Sequence, residues 1–471
     1  MKENLSSSPG ATKLLLGPKQ MPVWYVALFL AIQHVFAMFG ATVLVPILVN
    51  DGTQSTVLSI AVALFTSGTG TLIYQFCTGW KSPVYLGSSF AFIAPMIAAY
   101  SMAGTGGMMT GLMTVGVVYV VVSLLVWKIG RGWIDKLLPP IVIGPAILII
   151  GLGLSTTAIS SIGLDSAGNF SWPNVIAALI TFSITVVAMI FAKGKVFGFL
   201  RIIPFLTGIV LGTVVSYFLG IVDLTPIKEA DWGQIPAFAF PFIQYAPNFN
   251  AIWTIAPVAL ATMAEHIGDH KAVSVIMGED LLKDPGLHRT LLGDGLATLW
   301  AALFGGPANT SYGENTAVVG MTKIASVGVV TIAAIMAIVL AFIGKFTAAV
   351  SVIPGPVLGG VEILLYGFIA LNGAKVLVNN HINFDYSRNV VIAATMLVLG
   401  IGGAIVSFVI GDVSIAFSGT SLATIIGVIL NKLLPIQAEE KAEQVIWQRL
   451  DEVAKQLAEN PSLTLTLTTA Q

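Results

Sequence analysis

Apolar runs about as long as a bilayer is thick occur along most of the chain and alternate with short polar connections. A transmembrane helix needs roughly 20 predominantly apolar residues to cross the hydrocarbon layer. The pattern predicts an all-α polytopic membrane protein with fourteen transmembrane segments. The predicted segments are 23–49, 56–79, 84–100, 108–127, 138–156, 174–192, 202–222, 251–270, 290–305, 311–326, 328–350, 356–374, 389–410 and 413–434.

The distribution of basic residues supports this number of segments. With the N-terminus in the cytoplasm, every Lys and Arg except Lys228 and Lys345 falls in a cytoplasmic connection or terminus. Positive residues concentrate on the cytoplasmic side of membrane proteins. We therefore expect both termini in the cytoplasm. The first segment is expected to serve as an uncleaved insertion signal, because no cleavage site precedes it.

The chain divides into two halves of seven predicted segments. An acidic, Pro-rich connection separates them, and an odd number of segments makes the second half enter the membrane from the opposite side. Two such halves of one fold form an inverted repeat. The predicted parts are a cytoplasmic segment 1–20, a first repeat 21–222, an external linker 223–250, a second repeat 251–434 and a cytoplasmic tail 435–471. Within that tail, residues 439–460 have a helical pattern.

Two short, interrupted segments lie at matching positions of the halves. The third segment opens with SPVYLGSSFAFIAP (82–95), and the tenth opens with GPANTSYGENTAV (306–318). Paired interruptions of this kind indicate a binding site at the membrane midplane, where helix N-termini point at the ligand. The alternative is that both stretches are ordinary loops between shorter helices.

Composition excludes several other classes of protein. Hydrophobic residues make up 56% of the chain, charged residues 10%, and the mean hydropathy is +0.90. A net charge of −1 argues against a nucleic-acid partner, and the single cysteine, Cys77, excludes an intrachain disulfide. Because no P-loop, dinucleotide fingerprint, catalytic triad or CxxC motif occurs, we predict a protein that is not an enzyme and needs no cofactor.

Carboxyl groups inside the apolar pattern are the main candidates for function. Glu265 and Asp269 lie four residues apart in ATMAEHIGDHKAV, and therefore on one helix face. Glu314 lies in the second interruption. A charged side chain in the bilayer centre costs about 2.5–3.5 kcal/mol on insertion scales, so such residues are functional candidates by default. Two close acids cannot both ionise cheaply, and one is expected to hold a proton, which suits proton-coupled transport.

A second pair, His266 and His270, lies on a neighbouring face of the same helix. Histidines four residues apart bind zinc in HExxH sites, but the order here is EHxxDH and no helix-borne third ligand is evident. We therefore predict no metal site. His270 adjoins Lys271 and is expected at the cytoplasmic interface. Asp294 is likewise expected at the interface, paired with a basic residue of the preceding loop, Arg289 or His288.

Other candidates surround the interruptions. Phe90 could cover the face of a ligand, although core packing is the alternative for an aromatic residue in so apolar a chain. Asn315 adds an amide beside Glu314. His34 lies deep in the first segment, where a structural role is as plausible as a functional one. Ala41, after Gly40, is small enough for close approach of a helix or a ligand.

Six motifs of the chain resemble the nucleobase–ascorbate transporter family, in particular its bacterial uracil permeases. They are QHVFAMFGATVLVP, YLGSSFAFIAP, AEHIGDH, DPGLHRTLLGDGLAT, NTSYGENTAV and LGGVEILLYG, and the resemblance extends over about 21–434. It implies fourteen segments in a seven-plus-seven inverted repeat. A core domain (segments 1–4 and 8–11) would move against a gate domain (segments 5–7 and 12–14), and segments 3 and 10 would carry short antiparallel strands.

The resemblance also implies the site and the function. Glu265 and Glu314 would bind the edges of a pyrimidine, Phe90 and Tyr312 would contact its ring, and Tyr366 would line the site from the gate domain. Backbone near Ala41 and Gly313 would add polar contacts. The substrate would be uracil and the coupling ion a proton, coupled through Glu265, Asp269 and Glu314, with His34, His266 and Asn315 in support. The protein would lie in a bacterial plasma membrane, and the resemblance also implies a homodimer.

Two departures from the family pattern bear on the substrate. Asp269 stands where uracil permeases are expected to carry His, and an acid there is more similar to purine transporters. Those transporters, however, carry Gln where Glu314 stands, which favours uracil. A xanthine or other purine symporter is therefore the alternative function. An anion transporter of the sulfate-carrier type, and an intramembrane enzyme, are further alternatives that the paired acids and the missing catalytic motifs disfavour.

Overall fold

The structure is a computed structural model. It describes residues 14–164, 170–192, 200, 203–410, 413–417, 419–438 and further positions between 440 and 453. Most of the predicted N-terminal segment 1–20, the basic residues of the connection 193–201 and the end of the predicted tail 435–471 therefore lie outside the described residues.

The described chain is mostly helical. We number its helices α1 (Trp24–Thr53), α2 (Ile60–Cys77), α3 (Ile93–Ile129), α4 (Gly132–Leu137), α5 (Pro140–Gly153), α6 (Ser155–Ser161), α7 (Trp172–Ile190), α8 (Pro204–Phe218), α9 (Thr225–Glu229), α10 (Ile252–Ile255), α11 (Val258–Met277), α12 (Leu287–Leu303), α13 (Gly313–Thr322), α14 (Val327–Ala341), α15 (Gly344–Ser351), α16 (Gly355–Asn379), α17 (Ser387–Ile401) and α18 (Gly419–Leu433). The strands are β1 (Leu86–Ser88), β2 (Asn309–Ser311), β3 (Val406–Ile410) and β4 (Val413–Phe417). Short 3-10 turns cover Phe90–Phe92 and Phe249–Ala251, and a π turn covers Leu282–Gly286.

Six stretches of the described chain are long and apolar enough to cross a membrane. They are Trp24–Thr53, Ile60–Cys77, Phe90–Ile129, Pro140–Ser161, Trp172–Ile190 and Gly355–Asn379. Four apolar helices are shorter, namely Pro204–Phe218, Val327–Ala341, Ser387–Ile401 and Gly419–Leu433. Large apolar side chains lie exposed on the outer faces of these helices, including Val121 and Leu125 of the long helix α3. Exposed apolar helix faces of this extent fit lipid rather than water. The chain is a helical integral membrane protein.

Several predicted segments end elsewhere in the structure. The predicted segments 84–100 and 108–127 meet in α3, which is continuous except for a kink at Ala103 and Gly104. The predicted segments 389–410 and 413–434 overlap an antiparallel hairpin of β3 and β4. Helix α17 ends before this hairpin, and helix α18 begins after it. The sequence pattern missed this hairpin because the apolar residues of each strand were assigned to a transmembrane segment, with the break at Gly411 and Asp412 placed between the two segments.

One two-stranded pair joins the two halves of the chain. Strand β1 pairs with β2 in antiparallel register, with Leu86 opposite Ser311 and Ser88 opposite Asn309. All residues of both strands are buried. Non-helical backbone inside a membrane is tolerated where it is buried in protein and its N–H and C=O groups are bonded. The strands expected in both interrupted segments are therefore present, and they pair with each other.

The helices pack in two sets. In the first set, α2, α3, α12 and α14 pack closely, and α1 and α11 join them. In the second set, α16 packs against α5, α6, α7 and α8, while α17 and α18 pack against each other and α5. Small residues permit the closest approaches: a Cβ added at Gly116 would meet the backbone of Leu299 at 2.7 Å. Close backbone approach at glycine is the usual way in which helices associate in lipid.

The linker 223–250 begins with an ordered turn. Its short helix α9 lies against α15, where Lys345 Nζ donates to the Ile227 carbonyl at 2.7 Å. The Thr225 side chain and backbone N–H both hydrogen-bond to Asp223, and they lower the pKa of that carboxyl. This linker therefore has local structure of its own.

Candidate functional site

Two helices begin where the strand pair ends. β1 leads through the turn Phe90–Phe92 into α3, and β2 leads through Tyr312 into α13. Helix α2 holds β1 by hydrogen bonds to Leu86. Thr71 Oγ1 accepts from the Leu86 N–H at 2.9 Å, and Ser67 Oγ donates to the Leu86 carbonyl at 2.7 Å. The first N–H groups of a helix lack partners within the helix, and its N-terminus is partly positive. The region around Phe90 and Gly313 therefore offers polar backbone next to buried strands.

Three of the predicted acids lie together at this point. Glu265 and Asp269 are one turn apart on α11, and Glu314 is in the first turn of α13. Asp269 and Glu314 are electrostatic neighbours of Glu265, and Glu314 is also a neighbour of Asp269. All three side chains are only partly buried, whereas most of their surroundings are fully buried. The structure thus brings together acids from two motifs that are separated in the sequence.

A serine of the strand pair holds one of the acids. Ser311 Oγ donates to Asp269 Oδ2 at 2.7 Å. A Cβ added at Gly313 would lie 3.9 Å from Asp269 Oδ1, so the two residues are close. The carboxyl is therefore fixed beside the N-terminus of α13. Sequence reasoning did not select Ser311, although it lies within the motif NTSYGENT.

Phe90 and Tyr366 meet across the two helix sets. Their ring centroids are 5.9 Å apart, with the planes near perpendicular. Such edge-to-face pairs are favourable and sensitive to geometry. Both residues are buried, and the Tyr366 hydroxyl has no hydrogen-bond partner in the described part of the chain. The structure thus brings together two predicted site residues that are far apart in sequence.

The hydroxyl of Tyr312 is bonded within the protein. It donates to the Ser88 carbonyl at 2.9 Å, and Thr42 Oγ1 lies 3.1 Å from it. Ser88 Oγ in turn donates to the Thr42 carbonyl at 3.1 Å, next to the buried Ala41. Tyr312 therefore ties β1 to α1, and only its ring remains to contact a ligand. Thr42 and Ser88 are further residues that sequence reasoning did not select.

The predicted supporting residues His34 and Asn315 contact each other. Asn315 Nδ2 donates to the His34 carbonyl at 3.0 Å and lies 3.1 Å from His34 Nδ1. Both are fully buried. Because Asn315 follows Glu314, this bond fixes the first turn of α13 against α1 and orients the acid without contacting its oxygens.

A buried network of histidines lies behind the acids. His266 Nδ1 is 2.8 Å from Asp294 Oδ2, and the imidazoles of His266 and His270 stack with centroids 3.9 Å apart. His270 Nδ1 donates to the His266 carbonyl at 2.7 Å, so its Nε2 is left to pair with the Tyr74 hydroxyl at 2.6 Å. The network runs from α12 through α11 to α2.

Two expectations about these residues are wrong. Asp294 is fully buried and pairs with His266 rather than with a basic residue of the preceding loop. His270 is fully buried rather than interfacial. Sequence neighbours misled the prediction, because Arg289 and Lys271 are exposed whereas Asp294 and His270 are buried. Among the described residues, no three His, Cys, Asp or Glu side chains converge as metal ligands would.

Two solved structures share the architecture of this chain. The transmembrane domain of a cyanobacterial bicarbonate transporter, BicA, aligns with a TM-score of 0.57 at 15% identity, over 88% of this chain and 99% of that one. The murine anion transporter Slc26a9 in its inward-facing state aligns with a TM-score of 0.63 at 13% identity, over 88% and 69%. At such low identity these matches show the fold alone.

Sequence relatives are much closer. The uracil permease of Bacillus caldolyticus is 45% identical over 408 residues, 86% of this chain and 91% of that one. The uracil permease of Bacillus subtilis (strain 168) is 42% identical over 437 residues, 92% and 98% of the two chains. That of Escherichia coli (strain K12) is 38% identical over 444 residues, 93% and 98%.

The family model Xan_ur_permease, described as a permease family, matches residues 26–408. The match includes every residue of the site described above. It also includes both strands and the two helix sets up to β3. By this match and by its relatives, the chain is a transporter protein and belongs to the nucleobase–ascorbate transporter family.

Proposed function

We propose that this protein imports uracil by symport with protons. The observation that carries the proposal is the convergence of Glu265 and Glu314, from two separated motifs, beside a paired strand and two helix N-termini. Relatives described as uracil permeases match nearly the whole chain. Acidic residues are rare inside a bilayer unless they serve a function or pair with another group. The convergence of two of them therefore supports a functional site.

The arrangement suits a small, planar, uncharged ligand with N–H and C=O groups on its edge. An ionised carboxylate only accepts hydrogen bonds, whereas a protonated one can donate to a carbonyl. Glu265 and Glu314 therefore bind complementary edges of the pyrimidine in different protonation states. Phe90 and the ring of Tyr312 contact its faces, Tyr366 closes the site from the second helix set, and backbone near Ala41 and Gly313 supplies further polar contacts.

The proton resides in the acidic cluster. Glu265, Asp269 and Glu314 repel one another when ionised, so taking up one proton relieves the repulsion and binding a neutral ligand favours the same state. Protonated Glu265 donates to a ligand carbonyl. Loss of that proton to the cytoplasm breaks the bond and promotes release. His266 and the His34–Asn315 pair hold the helices that carry these acids.

Substrate movement follows from rocking of the two helix sets about this site. We assign the first set to a core domain and the second to a gate domain, within fourteen segments arranged as a seven-plus-seven inverted repeat. The pairing of β1 with β2 supports this, since the strands occupy matching places of the predicted halves. The same proposal places the protein in a bacterial plasma membrane with cytoplasmic termini, and leaves a homodimer as the expected assembly.

A purine symporter is the second candidate, and Asp269 is the residue that favours it. Its carboxyl accepts from Ser311 and lies beside Gly313, within the proposed site. Competition of labelled uracil uptake by unlabelled xanthine separates the candidates. Uracil alone should compete if the first is correct, and xanthine should compete at least as well if the second is.

The test is uptake of radiolabelled uracil into proteoliposomes with and without an inward proton gradient. The purified wild-type protein should accumulate uracil only with the gradient. Glu265→Gln should abolish this uphill accumulation, a loss of about tenfold for a gradient of one pH unit, because Gln can donate to a ligand carbonyl but cannot take up and release the coupled proton. Gradient-driven accumulation by Glu265→Gln at the wild-type level would exclude Glu265 as the coupling residue.

A matched control is Glu279→Gln. Glu279 follows the same helix, α11, but is exposed at its end. Its replacement removes one acid without touching the site, and wild-type uptake is expected. If wild-type protein shows no uracil uptake under any gradient, the proposed function itself fails.

A further inference from the structure

Glu362 is a buried acid that the proposed site does not use. It lies on α16 with 0% of its surface exposed. The helices that pack along α16 are α5, α6, α7 and α8. None of these four helices contains an Asp, Glu, Lys, Arg or His residue. An isolated carboxyl in such an apolar environment requires an explanation.

The carboxyl has no counter-charge among its described neighbours, since the charged group nearest to it is another acid. Neither of its oxygens makes a hydrogen bond within the described part of the chain. The hydroxyl of Ser161 on α6 is close enough to donate to the carboxyl, but its single proton is directed to the Thr157 carbonyl at 2.9 Å. An ionised carboxylate without a counter-charge or donors is strongly disfavoured in a low-dielectric interior, whereas a protonated acid is neutral and tolerated. The closed packing seen here therefore fits the neutral form of Glu362.

Glu362 is placed between the proposed site and the solvent. One helical turn further along α16 is Tyr366, whose ring contacts Phe90. In the other direction, α16 begins at the exposed Gly355. The charged group that faces Glu362 is Asp51, which is exposed in the last turn of α1. This end of α1 and of α16 is the external one in the predicted topology.

We propose that Glu362 is a second proton-binding site of the transport cycle, which must be neutral before the external end of the transporter can close. The proposal rests on the proposed function. When α16 and α1 separate at this end, water reaches the carboxylate, and one of its oxygens takes a proton from the external solution. Closure then buries a neutral acid. In alkaline medium the ionised carboxylate resists burial, and closure is slowed.

This proton does not travel with the substrate. It returns to the external solution when the same end reopens, so Glu362 sets the external pH at which the cycle can proceed without changing the number of protons carried per uracil. That separates its role from the role of Glu265. Glu362 influences the rate of closure, and uracil affinity should not depend on it.

The experiment is the rate of labelled uracil exchange in proteoliposomes, measured as the external pH is raised at fixed internal pH. Glu362→Gln mimics the neutral form and should reduce the fall of the exchange rate at high external pH. One pH unit above the wild-type midpoint, its rate should be at least about threefold above that of wild type, since the ratio of protonated to ionised carboxyl changes tenfold per pH unit. The uracil concentration for half-maximal rate should stay at its wild-type value. Glu362→Asp, which keeps an ionisable group, should retain the decline.

Glu229→Gln is the matched control. Glu229 is an exposed acid of the linker on the same predicted side, and its replacement should leave the profile unchanged. If Gln lowers the amount of folded transporter, Glu362→Met carries the same test, because Met is neutral and of similar length. Profiles of both neutral variants that superimpose on the wild-type profile would overturn the proposal, and so would a loss of uracil binding. A wild-type protein without uracil transport would instead refute the proposed function.

Discussion

Asp269 differs from its two acidic neighbours in having a side-chain donor. Ser311 reaches it from strand β2, whereas Glu314 is bonded by its own backbone N–H, and no side-chain donor to Glu265 or Glu314 occurs in the described part of the chain. A bonded carboxylate is the one that most readily stays ionised in a cluster. We therefore expect Asp269 to keep the negative charge and the mobile proton to reside on Glu265 or Glu314.

Ser311→Ala tests this division of roles. Loss of the hydroxyl removes a bond to a charged carboxylate, worth about 1.5–3 kcal/mol, and should lower gradient-driven uracil uptake by about tenfold or more. It should also change the pH at which uptake is half-maximal, because the charge is then shared differently. The measurement is the initial rate of uptake against pH in proteoliposomes.

Ser101→Ala serves as its control. Ser101 is exposed on α3, and its hydroxyl bonds only to the Ile97 carbonyl one turn earlier. Equal effects of the two substitutions would mean that loss of a helix or strand hydroxyl, rather than the bond to Asp269, explains the result.

Individual site residues were predictable where a carboxyl group interrupts an apolar segment, because burying such a group costs free energy. The spacing of Glu265 and Asp269, and the interruption around Glu314, mark them as exceptions in an apolar chain. The prediction for Asp294 was wrong, because it paired the residue with a basic residue nearby in the sequence, whereas the structure pairs it with His266 of another helix. The same reasoning could have identified Glu362, since it is a carboxyl within the apolar segment of α16, as Glu265 is within that of α11.

At the scale of elements, the β1–β2 pair depends on a glycine without room for a side chain. A Cβ added at Gly87 would lie 2.5 Å from ring atoms of Tyr312. That ring cannot move freely, because its hydroxyl is bonded to the Ser88 carbonyl. The strand pair and the tyrosine therefore fix each other.

Gly87→Ala should thus destabilise the folded transporter by about 1–3 kcal/mol, the usual cost of overpacking. Uracil uptake should fall with it, because Tyr312 shifts towards α1 or the strands separate. The measurements are the thermal midpoint of the detergent-solubilised protein and uptake at equal amounts of protein. Gly132→Ala, where a Cβ would meet nothing within 4 Å, should change neither.

Helices and strands differ in how far sequence predicts them. Long apolar runs such as Trp24–Thr53 were predicted nearly to their ends, and the strands were expected at the two interruptions. The kink of α3 and the β3–β4 hairpin were not. The kink lies in the Gly-containing stretch 101–107, which the prediction treated as a connection between two segments, and the strands lie at the ends of apolar runs in which hydropathy does not separate helix from strand. Tertiary packing decides the local structure at such places.

At the scale of the whole molecule, the described part of the C-terminal tail is attached to the second helix set. Trp447 stacks on His381 with ring centroids 3.9 Å apart and planes 5° from parallel. Glu443 accepts from Tyr386 at 2.8 Å and from Asn383 at 3.3 Å. The tail, which the sequence predicts as a cytoplasmic helix, therefore contacts the connection between α16 and α17.

This attachment should weaken in acid. The hydrogen bonds from Tyr386 and then Asn383 lower the pKa of Glu443 below its usual value of 4.5. A carboxyl whose pKa is lowered by docking favours the docked state above its usual pKa and loses that contribution as the pH falls through the lowered value. Limited proteolysis of the tail should thus accelerate as the pH falls below about 4.5.

Glu443→Gln should remove this pH dependence and leave cleavage uniformly faster. Cleavage of wild-type protein at one rate across the acidic range would contradict the assignment of Glu443. Gln keeps the size of the side chain and removes its charge, so the comparison weakens the bonds from Tyr386 and Asn383 together with the bond that Trp447 Nε1 donates at 3.4 Å.

The strand pair has a further consequence for biosynthesis. Ser88 and its partner Tyr312 are separated by 224 positions. At roughly 5–20 residues per second, the ribosome needs about 10–45 s between making one and the other. During that interval the backbone groups of β1 have no strand to pair with, and bare peptide groups are costly inside lipid. The emerging first half must therefore wait at the translocon, be shielded by another protein, or keep β1 outside the hydrocarbon layer until β2 arrives.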